Sequence, residues 1–208
     1  MCIRDRFEAV NTALSPTLHR IDGQLAISWT DRRQQLRRLY WQLLNSALEP
    51  LGEPIALTDQ TLTVARAEVV YDGRDHLGVL MQTLDAEDRR HHRVMVVDLQ
   101  GRAVFGPHRV EQGDQTARPG GGISFDGDAF VVAMRSDSQA GEHIRFMRFS
   151  GAGVLTPPSV VARAGDGAPV GSFLPHMTLS IAAHQMHSVI GFKPVSYTHL
   201  TLPTILRV

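Results

Sequence analysis

The chain has 208 residues, 43% of them hydrophobic, with 21 lysines and arginines balanced by 21 aspartates and glutamates. Zero formal net charge gives no global pull toward nucleic acid or an anionic membrane, and no apolar run approaches the ~18 residues of a membrane-spanning helix. The 18 glycines and 11 prolines recur at intervals along the chain, the punctuation of many short strands and turns.

The first six residues, MCIRDR, and the stretch 195–208, VSYTHLTLPTILRV, differ in texture from what lies between. A DNA strand able to encode MCIRDR has a reverse complement that reads Val195-Ser196-Tyr197-Thr198-His199, and Pro194 accommodates the flanking bases. The expectation is that residues 1–6 and 195–208 are translated transposon-end sequencing adapter, and that the rest is a metagenomic fragment of a bacterial gene. Such scars stay outside fold reasoning. Without them 18 basic residues face 20 acidic ones, and Cys2 disappears, so the redox compartment stays open. Lys193 is the only lysine, which points to a GC-rich genome.

Between those ends the chain repeats itself. In the first unit Ile21-Asp22-Gly23 precedes the apolar run LAISW, ending at Trp29. An apolar residue, Asp-Gly and a second apolar run form a strong hairpin signal, because glycine tolerates the positive φ of a tight turn. The following RRQQLRRLYWQLLNSAL places Leu36, Leu39, Tyr40, Leu43, Leu44 and Ala47 at helical spacing. Its place in the repeat aligns it with strands, so it is read as a strand whose context overrides local periodicity. The turn NSALEP, the run LGEPIAL and Asp59-Gln60-Thr61 complete the unit.

The second unit has Tyr71-Asp72-Gly73, LGVLM ending at Met81, RVMVVDL, the turn QGRA, VFGPHRV and Asp114-Gln115-Thr116. The third has Phe125-Asp126-Gly127, FVVAM ending at Met134, IRFMRF, SGAG and VLTPPSVV. In IRFMRF, Ile144, Phe146 and Phe149 are apolar while Arg145 and Arg148 are not, the alternation of a half-buried strand with a register slip at Met147. Leu99–Pro107 aligns with Phe149–Pro157 without a gap, 50 residues apart. Residues 172–193 open a fourth unit, Ser180-Ile181 matching Ser124-Phe125 with the turn changed to AAHQ.

A unit of about 50 residues holding four short strands is what a propeller blade requires. The pattern resembles the repeat arrays of kelch-like and similar bacterial propellers, most nearly envelope or secreted ones with a W-x-D-R strand end, here Trp29-Thr30-Asp31-Arg32. The resemblance implies an all-β chain, a partial β-propeller of four-stranded antiparallel blades at 7–59, 60–114 and 115–167, with part of a fourth at 168–194. Trp29, Met81 and Met134 are expected in the cores between blades. Uncapped end blades predict exposed apolar surface, since stacked repeats bury each other's faces.

Candidate sites are sparse. His176, His184 and His187 form the densest histidine group, but no cysteine or acid accompanies them and the close pair straddles a predicted hairpin, so exposed loop histidines are the preferred reading. Asp72 with Asp75, and Asp126 with Asp128, fit turn chemistry at Asp22-Gly23, Asp72-Gly73 and Asp126-Gly127 better than calcium. No metal and no cofactor is implied. Arg32, Arg33, Arg37 and Arg38, with Arg89, Arg90, His91, His92 and Arg93, make two basic clusters at the loop between second and third strands; Arg32, Arg33, Arg37, Arg38, Arg89, Arg90 and His92 are the candidate ligand-binding residues for an anionic ligand. Asp31, Glu87 and Asp88 lie nearby to neutralise them. Gly120-Gly121-Gly122 lacks the spacing and the following helix of a phosphate loop.

Two functions follow. The first is a non-catalytic recognition or scaffold module, periplasmic, surface or extracellular, binding a protein or glycan through blade-rim loops, with no nucleic acid and no membrane span, and with the missing blades of its own chain as neighbours. The second is a propeller enzyme, a glycoside hydrolase, lyase or lactonase, with its active site at the channel mouth. Convergence of carboxylates from different blades discriminates them.

Overall fold

The computed structural model describes residues 14–33, 36–111, 113, 115–139, 141–163, 178–184, 187–193 and 204–207. β1 (Leu14–Ile21), β2 (Gln24–Arg33), β3 (Leu36–Leu44) and β4 (Ile55–Ala56) form the first antiparallel sheet. β5 (Thr63–Tyr71), β6 (His76–Leu84), β7 (Arg90–Asp98) and β8 (Ala103–Arg109) form the second. β9 (Thr116–Phe125), β10 (Phe130–Ser138), β11 (Gly141–Ser150) and β12 (Gly153–Arg163) form the third. β13 (Thr178–His184), β14 (His187–Lys193) and β15 (Thr204–Arg207) make a three-stranded sheet. Each is a meander in chain order. The opening strands adjoin one another, β5 beside β1 and β9, and β9 beside β13, so they line the inner edge of a fan of blades. Among the described residues no helix is long and apolar enough to cross a membrane.

The stretch with helical spacing is strand β3. Strand geometry sends alternate side chains to opposite faces: Leu39 and Trp41 join the core against the second sheet, while the buried Tyr40 points the other way and stacks on Trp29 with centroids 5.7 Å apart. The middle strands are buried on both faces. In β6, Leu77, Val79 and Met81 pack toward the first sheet and Leu80 toward the third. In β10, Phe130, Val132 and Met134 face the second sheet, while Val131 and Ala133 on the opposite face are also fully buried. Met81 and Met134 thus sit between blades, and Trp29 holds the corresponding place on the first sheet's far side. Double burial also explains β11, where Met147 and Phe149 share the face toward the second sheet, and Ile144 and Phe146 take the other. Phe149 and Ile144 lie on opposite faces; the β10–β11 register is continuous at Met147, while the β11–β12 register shifts there, between Phe146 and Arg148.

The three Asp-Gly bends are not one turn. Asp22 (φ 43°) and Gly23 (φ 83°) make a two-residue loop closing Ile21 on Gln24, the primed geometry that matches strand twist. The other two loops are wider and are held by the aspartate: Asp72 Oδ1 accepts the Arg74 and His76 amides at 2.8 and 3.1 Å, and Asp126 Oδ1 accepts those of Asp128 and Ala129 at 3.0 and 2.8 Å. A second loop design recurs at Asn45–Glu49, Asp85–Arg89 and Asp98–Arg102. Its first side chain accepts two loop amides, and its fourth residue is left-handed: Leu48 (φ 61°), Asp88 (φ 58°) or Gly101 (φ 80°). In the fourth sheet β13 continues through Ala182-Ala183-His184 instead of turning at AAHQ, so His184 and His187 become cross-strand partners.

Close approach between blades depends on small residues. A Cβ on Gly78 would lie 2.3 Å from the Phe130 ring, so β6 leaves space there for that ring of the third sheet. Apolar surface remains exposed at Leu14 and Leu18 of β1 and Val160 of β12.

Candidate functional site

The four inner strands read LSPTLHRI, TVARAEVVY, TARPGGGISF and TLSIAAH, and Glu68 is their single carboxylate. It stands opposite Leu80 in the β5–β6 register. Arg66, two residues away and therefore on the same face, donates from Nη2 to Glu68 Oε1 at 2.8 Å. The Ile123 amide of β9 also reaches this carboxylate, so Glu68 bridges the second and third blades. Burial pushes the Glu68 carboxyl above the usual carboxylate range, against the opposing pull of Arg66 and of the Ile123 amide. Gly120 and Gly121 form the opposite wall of the cleft. Far from a phosphate loop, both belong to strand β9, with Gly121 opposite Met134. The cleft encloses about 10 Å³, room for one water molecule.

Its floor is a buried polar chain. Gln82 and His92 line the cleft, and behind them lies Glu111, its side chain fully buried. Glu111 Oε2 accepts the His92 amide at 2.7 Å, and Oε1 lies 2.6 Å from His92 Nδ1. A carboxylate only accepts, so Nδ1 carries the proton and Nε2 accepts from Gln82 Nε2 at 3.1 Å. The second Gln82 proton goes to the Arg118 carbonyl at 2.6 Å. β6, β7, the connection after β8 and β9 are thereby tied together beneath Glu68. The set supplies one carboxyl raised by burial, one guanidinium, and a fixed amide and imidazole.

Several residues of the expected basic rim engage partners on their own blade. Arg32 is exposed and Arg37 half-buried. Arg38 turns back onto the chain, donating from Nε to the Thr58 carbonyl at 2.8 Å. Arg89 pairs with Asp85 and Glu87 at 2.8 and 2.9 Å; Arg90 is exposed. His91 lies 2.9 Å from Asp85 Oδ2, and Arg93 donates to Thr83 Oγ1 at 3.2 Å. Asp31 is fully buried and is not a surface counter-charge. His92 does reach a cleft, but as part of its floor. The Arg33 side chain, His176 and Asp114 lie outside the described residues, as do the side chains of His184 and His187. Among the described residues no group of three or more His, Cys, Asp or Glu side chains is placed to hold a metal ion.

Sequence reasoning missed Glu68, Gln82 and Glu111. Glu111 has a counterpart in the first blade. Leu57 and Val110 follow the outer strands and donate to the Leu39 and His92 carbonyls at 2.9 and 3.0 Å, so the next residues, Thr58 and Glu111, correspond.

No family model and no curated protein sequence matches the chain. Solved structures do. A GH43_1 enzyme from Xanthomonas citri complexed with xylose is 14% identical with a TM-score of 0.54, covering 88% of this chain and 67% of its own. The endo-arabinase from Bacteroides thetaiotaomicron is 13% identical with a TM-score of 0.51, covering 93% of this chain and 74% of its own. The polysaccharide lyase Uly1 is 9% identical with a TM-score of 0.55; the match covers 94% of this chain and 49% of the lyase. At these identities the likeness is one of fold: this is an all-β chain of propeller blades.

Proposed function

We propose that the chain is the larger part of a carbohydrate-active propeller enzyme in which Glu68 handles the proton. The observation that carries this is a carboxyl raised by burial, set among Arg66, Gln82 and His92 on the inner edge. A carboxyl whose affinity for its proton is raised by burial suits general acid catalysis at a glycosidic oxygen. Support comes from the similar folds, which include a xylose-bound GH43_1 enzyme, an endo-arabinase and a polysaccharide lyase. Glu68 protonates the departing oxygen, Arg66 sets how readily it does so, and the Glu111–His92–Gln82 chain holds the wall in place. Two-carboxylate hydrolysis needs a partner acid, which this reading assigns to the blades beyond those described.

A second reading, glycan recognition without cleavage, is favoured by Glu68 being the lone inner-strand carboxylate. One experiment separates them. The full chain is incubated with xylan, arabinan and uronic-acid glycans while new reducing ends and unsaturated sugar products are followed, alongside Glu68→Gln. Turnover that the variant abolishes while still binding glycan supports the enzyme. Turnover untouched by the variant overturns it, and binding without turnover in either protein leaves the recognition reading.

A further inference from the structure

A larger groove lies away from this cleft, on the flank where the outer parts of the first and second sheets meet. The two sheets close where Gly101 passes Ile55, so tightly that a Cβ on Gly101 would lie 2.4 Å from Ile55 Cγ2. Beside that contact they leave about 270 Å³. Leu57, Leu62, Met95 and Pro107 give it an apolar lining, and Arg38 and Asp59 supply its charge. Both charged groups are pre-positioned. Arg38 uses Nε and Nη2 on the Thr58 carbonyl, and Asp59 uses Oδ1 on the amide and hydroxyl of Thr61 at 2.8 and 2.6 Å. The Leu62 amide also reaches the Asp59 carboxylate, and the Arg38 guanidinium lies 5.9 Å from the Tyr40 ring centroid.

We propose that this groove is a second glycan-binding subsite that seats one uncharged sugar unit. The volume falls just below the ~300–1,000 Å³ of pockets for drug-sized ligands, which suits one ring and not a folded oligomer. A guanidinium beside a carboxylate cancels in charge, so the groove offers no net attraction to an anion or a cation. Together they offer one donor and one acceptor, which adjacent hydroxyls satisfy by accepting and donating. The apolar lining meets the C–H face of the ring. The inference rests on the glycan reading but not on Glu68, which belongs to the inner strand β5.

The test uses full-length Glu68→Gln protein, with xylotriose and a trigalacturonate as probes, followed by calorimetry and by the Met95 methyl resonance. Xylotriose is expected to bind, shift that resonance and be preferred to trigalacturonate. Asp59→Ala removes the acceptor and Ala103→Trp fills the groove from the exposed face of β8; each is expected to weaken xylotriose binding at least tenfold. Binding unchanged by both, or without a Met95 shift, overturns the groove while leaving the glycan reading standing. Preference for trigalacturonate overturns the uncharged class. If neither probe binds while the wild-type chain cleaves glycan, the groove alone fails; if no glycan is bound or cleaved, both proposals fail.

Discussion

Glu111 stands in the second blade where Thr58 stands in the first. Thr58 Oγ1 accepts the Leu39 amide at 3.1 Å, and Glu111 Oε2 accepts the His92 amide at 2.7 Å. The substitution of a carboxylate for a hydroxyl extends the side chain far enough to engage the His92 ring as well. A structural cap has become the anchor of the cleft floor.

Removing that anchor strands two buried donors. Glu111→Ala is expected to cost about 3 kcal/mol, as breaking a buried hydrogen-bonded pair does. Glu111→Thr restores the first blade's cap and should recover about 1 kcal/mol. Denaturant unfolding midpoints measure both; equal losses would show that the backbone cap contributes nothing.

Leu48 is left-handed at φ 61° and exposed, where its counterpart Gly101 has no Cβ to strain. An L-residue in that region costs about 1–2 kcal/mol, so Leu48→Gly should raise the melting temperature despite glycine's greater unfolded-state entropy. A fall in melting temperature would mean that the side chain makes compensating contacts.

At Gly78 the reverse holds. Its Cβ position lies within the Phe130 ring's reach, and Phe130 is itself packed against Phe149 at 5.6 Å. Gly78→Ala should destabilise by about 1–3 kcal/mol through overpacking, and adding Phe130→Leu should return part of the loss. A double mutant no better than the single would place the strain elsewhere.

His19 supplies a pH dependence. Its ring lies 2.8 Å from Ser28 Oγ and 5.3 Å from the Trp41 ring, and burial lowers its pKa from 6.5 to about 4. The folded chain then binds fewer protons than the unfolded chain between those values. Its stabilisation is complete above pH 6.5 and is lost as pH falls toward 4. Glu68 acts with the opposite sign, since its raised pKa removes stability as pH climbs above 4.5. The lowered carboxyls of Asp59, Asp98 and Asp126 act below 3.8. His19→Gln should therefore flatten the loss between pH 6.5 and 4; urea midpoints across that range that keep their slope would assign it to another group.

The blade pattern was legible because glycine turns and apolar runs carry it locally. LGVLM and FVVAM are strands wherever they are placed, and even the helical spacing of residues 36–47 yielded to the repeat. The site was not legible for the same reason. TVARAEVVY reads as an ordinary strand, and Glu68 acquires its character only when β9 brings the Ile123 amide and two glycines against it. His92 was visible as one of two adjacent histidines, yet their partners, Asp85 and Glu111, lie 6 and 19 residues away. Nothing in RHHRVMVVD tells which neighbour each ring will meet.

The double-sided middle strands constrain how such a chain can drift. Seven consecutive residues of β6 are buried, so losing one residue there would flip the remainder and misfit two neighbours at once. The same loss in β8, largely exposed, would disturb a single rim. Length changes are therefore tolerated in a gradient, least in the middle of each blade and most at its outer edge, and related chains should differ in size mainly at their circumference.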